Sequence, residues 1–446
     1  MIISTNSLAA ERLKEAISLR TISQGDENLM DQNEFQRFLD FLERTYPLVH
    51  ERAKIQMISG YSPIYHFEGR SQEELPVLLL AHYDVVPVEE STLKDWAADP
   101  FSGELLDGYV YGRGALDDKN QVISIMEALE GLLTEGVQLG RDIYVALGFD
   151  EETGGQRGAR AMASHFRERK LRFHMVLDEG GAVVEGMVDG LDLPVALIGV
   201  CEKGSSNIRI TARGEGGHSS MPGAQSSVTR LSEAVLRLSR HPMKPRLTAP
   251  LSAMLKGMAP HMGVKGLLLR SPELTFPLLS RVLAGSPAMN ALMRTTMAMT
   301  VLGAGTAMNV MPQEAFVNVN VRILPGDTFS DVLQHMKRVN EGLDLTYEAI
   351  VEEEASKVSP HDSEAFARVA RNIVKVFPEV KVLPYLMAGG TDSRKYEELS
   401  EHILRFSCIR MTGEDLDRLH STNERIHVDN LSAMISFYRH LLEEFQ

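Results

Sequence analysis

The chain predicts an α/β fold: a mainly parallel sheet flanked by helices, interrupted by an inserted α+β domain. Three observations carry this. Short, wholly apolar runs (Val77-Leu78-Leu79-Leu80, residues 143–149 and Met175-Val176-Leu177) read as strands buried on both faces, and helical patterns lie between the first ones. After Gly204 the pattern changes to strict apolar–polar alternation at residues 207–213 and 317–323, which suits an antiparallel sheet with one face exposed. The 446 residues also exceed what one hydrophobic core usually organises.

Taken in order, residues 8–19 and 35–48 carry apolar positions at helical spacing. Val122, Ile125, Met126, Leu129, Leu132 and Leu133 mark one helix face, closed by Gly136. Residues 365–377 predict a further helix. The expected boundaries are a first part of the α/β domain at 1–204, an inserted domain at 205–352 and a second part of the α/β domain at 353–446. Within the insertion, residues 242–300 are rich in Met, Leu and Pro and predict an extra helical block, in which Met most simply packs as core. The acidic run Glu352-Glu353-Glu354 falls at the return crossing, where a solvated segment is the plain expectation.

Composition narrows the function classes. Apolar residues make up 43% and charged residues 24%, ordinary for a globular enzyme. A net charge of −15 argues against nucleic acid, whose phosphates need a basic surface. Cys201 and Cys408 sit in apolar surroundings, as small core residues rather than a disulfide. The N-terminus shows no basic segment followed by an apolar core, and no apolar run is long enough to span a bilayer. A cytoplasmic location without a membrane partner is expected.

The chemistry lies just after the buried strands. His82-Tyr83-Asp84 follows the first, Asp150-Glu151-Glu152-Thr153-Gly154-Gly155 the second and Asp178-Glu179-Gly180-Gly181 the third. A further segment, Gly112-Arg113-Gly114-Ala115-Leu116-Asp117-Asp118-Lys119, leads into the Val122 helix. Open α/β sheets build their sites at the carboxyl ends of strands. Any one of these acids alone is most simply a loop carboxylate or helix cap. Together they would repel unless positive charge compensates, and divalent metal supplies it. Oxygen and imidazole ligands without thiolate suit zinc, with cobalt or manganese as substitutes.

These segments resemble the M20 family of metallopeptidases, in its carboxypeptidase S-like (Gly-Xaa carboxypeptidase) and PM20D1-like branch. The likeness continues through Gly217-His218-Ser219-Ser220, Asn309-Val310-Met311-Pro312, Val321-Arg322, Gly389-Gly390-Thr391-Asp392-Ser393-Arg394 and His420-Ser421-Thr422-Asn423-Glu424. It covers nearly the whole chain in order. It implies a zinc-exopeptidase-type catalytic domain carrying a lid and dimerisation-type insertion, with two zinc ions per subunit. His82 and Asp178 would hold one ion, Glu152 and His420 the other, and Asp117 would bridge. Asp84 would orient His82, and Glu151 would be the general base. His218 would stabilise the oxyanion, Arg322 and Asn309 would clamp a substrate carboxylate, and Gly390 and Thr391 would offer loop contacts. The resemblance also implies a cis Asp117–Asp118 peptide bond and a homodimer through the insertion. One departure is Ser421, where the family has Gly after the histidine.

The implied activity is cleavage of an amide bond next to a C-terminal amino acid, in dipeptides or short peptides. An N-acyl amino acid amidohydrolase would use the same residues on the same bond type. A catalytically silent metal-binding protein is a third reading, against which the presence of Glu151 speaks.

Overall fold

Val77–His82 forms a strand because six consecutive residues can be buried on both faces only in a sheet covered by helices, and all six are buried. Ile143–Gly148 lies parallel to it on one side and Met175–Asp178 on the other, and Ile403–Arg405 adds a fourth parallel strand. Among the residues the computed structural model describes (5–71, 73–186, 191 and 193–446), these belong to a ten-stranded mixed sheet. Lys54–Ile58, Ser62–Phe67 and Val195–Glu202 pair antiparallel at its flanks. Leu78, Leu80, Tyr144, Ala146 and Val176 pack with Met162 and Phe166 of the Ala159–Glu168 helix into one apolar core.

The Lys119–Thr134 helix is buried along most of its length, as a central helix apolar or neutral on several faces must be, and Gly136 follows it at φ +74°. The pattern over 35–48 resolves into two helices, Gln32–Thr45 and Pro47–Arg52. Pro47 cannot donate to an i−4 carbonyl, so it ends one helix and opens the next.

Internal contacts divide the chain into two units: Met1–Val200 with Ser359–Tyr385 and Thr391–Gln446, and Cys201–Val358 with Leu386–Gly390. The second unit is a four-stranded antiparallel sheet. Gly204–Arg213 and Glu314–Ile323 bury every second side chain, and Ile208, Ile210, Val317, Val319 and Val321 pack beneath Leu231, Leu238, Val332 and Met336. The two covering helices, Ser227–Arg240 and Phe329–Val339, both open on capping boxes. Glu352 and Glu354 of the acidic run are exposed, as a solvated segment should be, and Glu354 also accepts the Phe329 N–H with both carboxylate oxygens (2.9 and 3.1 Å) and so caps that helix.

The block at 242–300 is helical over Ala249–Met258, Gly266–Leu269, Pro272–Leu283 and Pro287–Met293. Its last residues instead begin the Thr296–Ala304 strand, where Met297 and Met299 point onto the sheet core. No helix among the described residues is long and apolar enough to cross a membrane.

Candidate metal centre

Three parallel strands deliver the first groups to one edge of the sheet. His82 ends its strand and is buried. Its Nδ1 lies 3.1 Å from the Asp84 carbonyl oxygen and 3.3 Å from Asp84 Oδ1. Asp84, fully buried, also accepts the N–H groups of Glu151 (3.1 Å) and Glu152 (3.2 Å), one on each oxygen. One carboxylate therefore fixes both the imidazole and the turn that carries the two glutamates. Gly155, at φ +64°, lets that turn pass Asp392, whose Oδ1 would collide with any Cβ there.

Asp117 reaches the same place from the loop before the Lys119–Thr134 helix, and the Asp117–Asp118 bond is cis. Its Oδ1 lies 3.0 Å from His82 Nε2 and its Oδ2 2.9 Å from His420 Nε2. His420 Nε2 also faces Glu152 Oε1 at 3.3 Å. His420 holds the left-handed conformation at φ +57°, unusual for a residue with a Cβ and typical of strained functional loops. Two sets of ligand atoms lie within 4.8 Å of one another: His82, Asp117 and Glu152, and His82, Asp118 and Glu179.

Asp178 ends the third parallel strand and is buried. Its Oδ2 accepts the Ser393 N–H at 2.7 Å and its Oδ1 the Glu179 N–H at 3.0 Å. Glu179 Oε1 is the one that stands 3.5 Å from His82 Nε2.

Electrostatics show what the cluster lacks. Burial, with the Asp117 charge beside it, pushes the Glu179 carboxyl up to about 8. Burial and neighbouring acids hold Glu151, Asp118 and Asp392 well above the carboxylate range and raise Glu152. Asp117 and Glu152 lift His420 to about 10, and Asp117, Asp84 and Glu179 lift His82 against the cost of its burial. Glu152 Oε1 is buried and shares the His420 nitrogen that Asp117 Oδ2 engages. Most of these carboxyls are raised by burial and by one another, while the two imidazoles hold Asp117 low, so the cluster is one that added positive charge would relieve. A set of two imidazoles and clustered carboxylate oxygens fits divalent metal.

Glu424 had no role in the sequence reading, although it ends the histidine motif. It is fully buried, pairs with Arg113 Nη1 at 2.6 Å and accepts the N–H groups of Gly114 (2.9 Å), Leu116 (2.8 Å) and Asp117 (3.3 Å). It holds the Asp117 loop in shape. Asp118 is also buried, and its Oδ2 accepts the His82 N–H at 3.2 Å.

The remaining expected residues lie in or beside the second unit. Gly217–His218 pairs with Val310–Met311, and the Ser219 N–H donates to the Asn309 carbonyl at 3.2 Å, which brings His218 and Asn309 together. His218 Nδ1 accepts the Ser220 N–H at 3.2 Å, so the neutral ring carries its proton on Nε2. Arg322 stands opposite Ser205 and Thr296 on the polar face of the sheet. On that face Arg209 donates to Asn318 at 3.0 Å and Asn320 to Asn207 at 3.1 Å. Gly390 ends the second unit and Thr391 reopens the first, its hydroxyl accepting the Ser393 N–H at 3.3 Å.

Known proteins resemble the chain along almost its whole length. Probable carboxypeptidase S-like 2 of Dictyostelium discoideum is 37% identical over 441 residues, which cover 97% of this chain and 84% of the relative. Human N-fatty-acyl-amino acid synthase/hydrolase PM20D1 is 34% identical over 440 residues, 97% and 87% of the two chains. In fold, the M20 family metallo-carboxypeptidase Sso-CP2 of Sulfolobus solfataricus superposes with a TM-score of 0.72 at 19% identity, over 98% of this chain and 99% of that one. A Bacillus subtilis neighbour with a TM-score of 0.58 at 14% identity, over 98% of each chain, is described as a dinuclear metal-binding peptidase. The model of peptidase family M20/M25/M40 matches residues 78–444. The chain belongs to peptidase family M20/M25/M40.

Proposed function

We propose that this protein is a metal-dependent carboxypeptidase that hydrolyses dipeptides or short peptides at the amide bond next to a free C-terminal carboxylate. The observation that carries this reading is Asp117, which offers one oxygen toward each of two imidazoles beside Glu151 and Glu152. His82, Glu179, Asp117, Glu152 and His420 would hold two ions. Glu179 stands in that set in place of the expected Asp178, a choice supported by its Oε1 lying 3.5 Å from His82 Nε2. Zinc held there, or cobalt or manganese in its place, would supply Lewis acidity toward the scissile carbonyl and the attacking water.

The protein groups do the rest. Asp84 keeps Nε2 of His82 turned toward Asp117 by engaging Nδ1. Glu151 takes a proton from the attacking water and returns it to the departing nitrogen. Its raised proton affinity, set by burial and by neighbouring Asp392 and Glu179, suits a group that must carry that proton between the two steps. His218 donates from Nε2 to the oxyanion. Arg322 and Asn309 grip the free carboxylate, with Gly390 and Thr391 at the same end of the substrate. Both cysteines are buried in apolar surroundings, as suits a reducing compartment, and we place the protein in the cytoplasm.

A second reading, hydrolysis of N-acyl amino acids, is favoured by the exposed Met221 and Met308 near His218 and by the PM20D1 relatives. The test is a screen of zinc-loaded enzyme on free dipeptides and N-acyl amino acids. Faster turnover of dipeptides is expected. Turnover of acyl substrates alone would move the assignment to the second reading, and turnover of neither would remove both.

A further inference from the structure

The helical block of the second unit presents apolar side chains to solvent in a repeating row. On Pro272–Leu283, Leu274, Leu278 and Val282 recur every four residues and are 83%, 51% and 66% exposed, while Pro272, Leu279 and Ser280 face inward. The preceding turn adds Val264 at 84% and Leu267 at 59%. The Thr275 hydroxyl, donating to the Leu268 carbonyl at 2.7 Å, ties these two segments together. Isolated exposed apolar residues are ordinary, but a clustered set of this kind marks a surface that something covers.

Charge says what covers it. The protein has a net charge of −15, yet from residue 256 to 281 the only acid is Glu273, which pairs with Lys256 at 2.7 Å. Lys265, Arg270 and Arg281 stand exposed beside the apolar row and outside any ion pair among the described residues. A second copy would set like charges against each other. An apolar stripe edged by unpaired cations on an otherwise acidic molecule matches the chemistry of an anionic lipid surface. There the side chains enter the headgroup boundary and the cations meet phosphate and carboxylate.

We infer that the 264–282 segment of the second unit docks the protein, without spanning, on an anionic bilayer surface. This departs from the expectation of no membrane partner, which rested on the absence of a spanning run, and it is independent of which amide is cleaved.

Co-flotation of the full-length, zinc-loaded protein with vesicles tests it. One set is pure phosphatidylcholine and the other contains about one-third phosphatidylserine, at low salt. Binding to the anionic vesicles is expected, at least tenfold stronger than to the neutral ones and weakened by raised salt. Leu274→Asp with Val282→Asp, and separately Lys265→Glu with Arg281→Glu, should each lower that binding at least tenfold. Neither pair should change turnover of a small soluble substrate, which shows that the variants are folded. Equal partitioning to both vesicle types, or binding that survives both variant pairs, would overturn the inference. So would a wild-type protein that stays off vesicles but forms a dimer dissolved by Leu274→Asp, since the occupant would then be a second copy.

Discussion

Glu151 and Glu152 are chemically identical neighbours held by the same Asp84 carboxylate, yet they face different partners. Glu152 Oε1 lies 3.3 Å from His420 Nε2, whereas Glu151 is buried within the field of His82 and of Asp392, Glu179 and Asp117. Glu151→Gln should therefore lower turnover by about 10²- to 10⁴-fold, the usual worth of a general base, while elemental analysis finds the metal content unchanged. Loss of metal in that variant would exchange the two roles. Glu179→Ala should lose about one equivalent of metal and most activity. Asp178→Asn should retain both ions, because an amide oxygen can still accept the Ser393 N–H. The opposite pattern in metal analysis would return the ligand role to Asp178. His218 draws its tautomer from Ser220, so His218→Ala should cost about a hundredfold or more in turnover rate at saturating substrate. An unchanged rate would make it a surface histidine.

Among the elements, the loop ending in Asp117 depends on a residue far along the chain. Glu424 gathers three backbone N–H groups and Arg113 into one buried carboxylate. Removing one member of such a group leaves an uncompensated buried charge, so Glu424→Gln should destabilise the fold by about 3–5 kcal/mol in denaturant melts. An unmoved midpoint would show that the loop holds its shape alone. In the second unit, Lys203 donates to the Ala291 and Arg294 carbonyls at 3.0 and 2.9 Å, and burial lowers its ammonium from 10.5 to about 8, helped by Arg322. Below pH 8 both folded and unfolded chains hold this proton, and the cost of burying the charge is fully present. Between pH 8 and 10.5 only the unfolded chain holds it, so stability rises with pH there. The denaturation midpoint of the wild type should climb across that window relative to Lys203→Met. Parallel profiles would mean that Lys203 is not depressed.

For the whole molecule, metal and stability are one linked quantity. Ions bound only by the native first unit stabilise it by about 4 kcal/mol each when present at a thousand times their dissociation constant. Chelation should accordingly lower the calorimetric unfolding temperature by several degrees, and zinc should restore it. An unmoved transition, with metal loss verified, would mean that the acidic cluster needs no cation. Much of this architecture was legible in the chain: apolar runs named the buried strands, and the residues after them named a cation-dependent site. The resemblance then assigned His82, Asp117, Glu152 and His420, which the fold brings together. Local pattern has no power over side-chain direction past a strand end, so only the fold placed Glu179 Oε1 3.5 Å from His82 Nε2. Nor could spacing reveal contacts hundreds of residues apart, such as the grip of Glu424 on the Asp117 loop, or a cap delivered from outside the helix, as by Glu354. Periodicity likewise marked the Met- and Leu-rich block as apolar, but whether an apolar face is covered depends on what packs against it. Tertiary structure alone left Leu274, Leu278 and Val282 open to solvent.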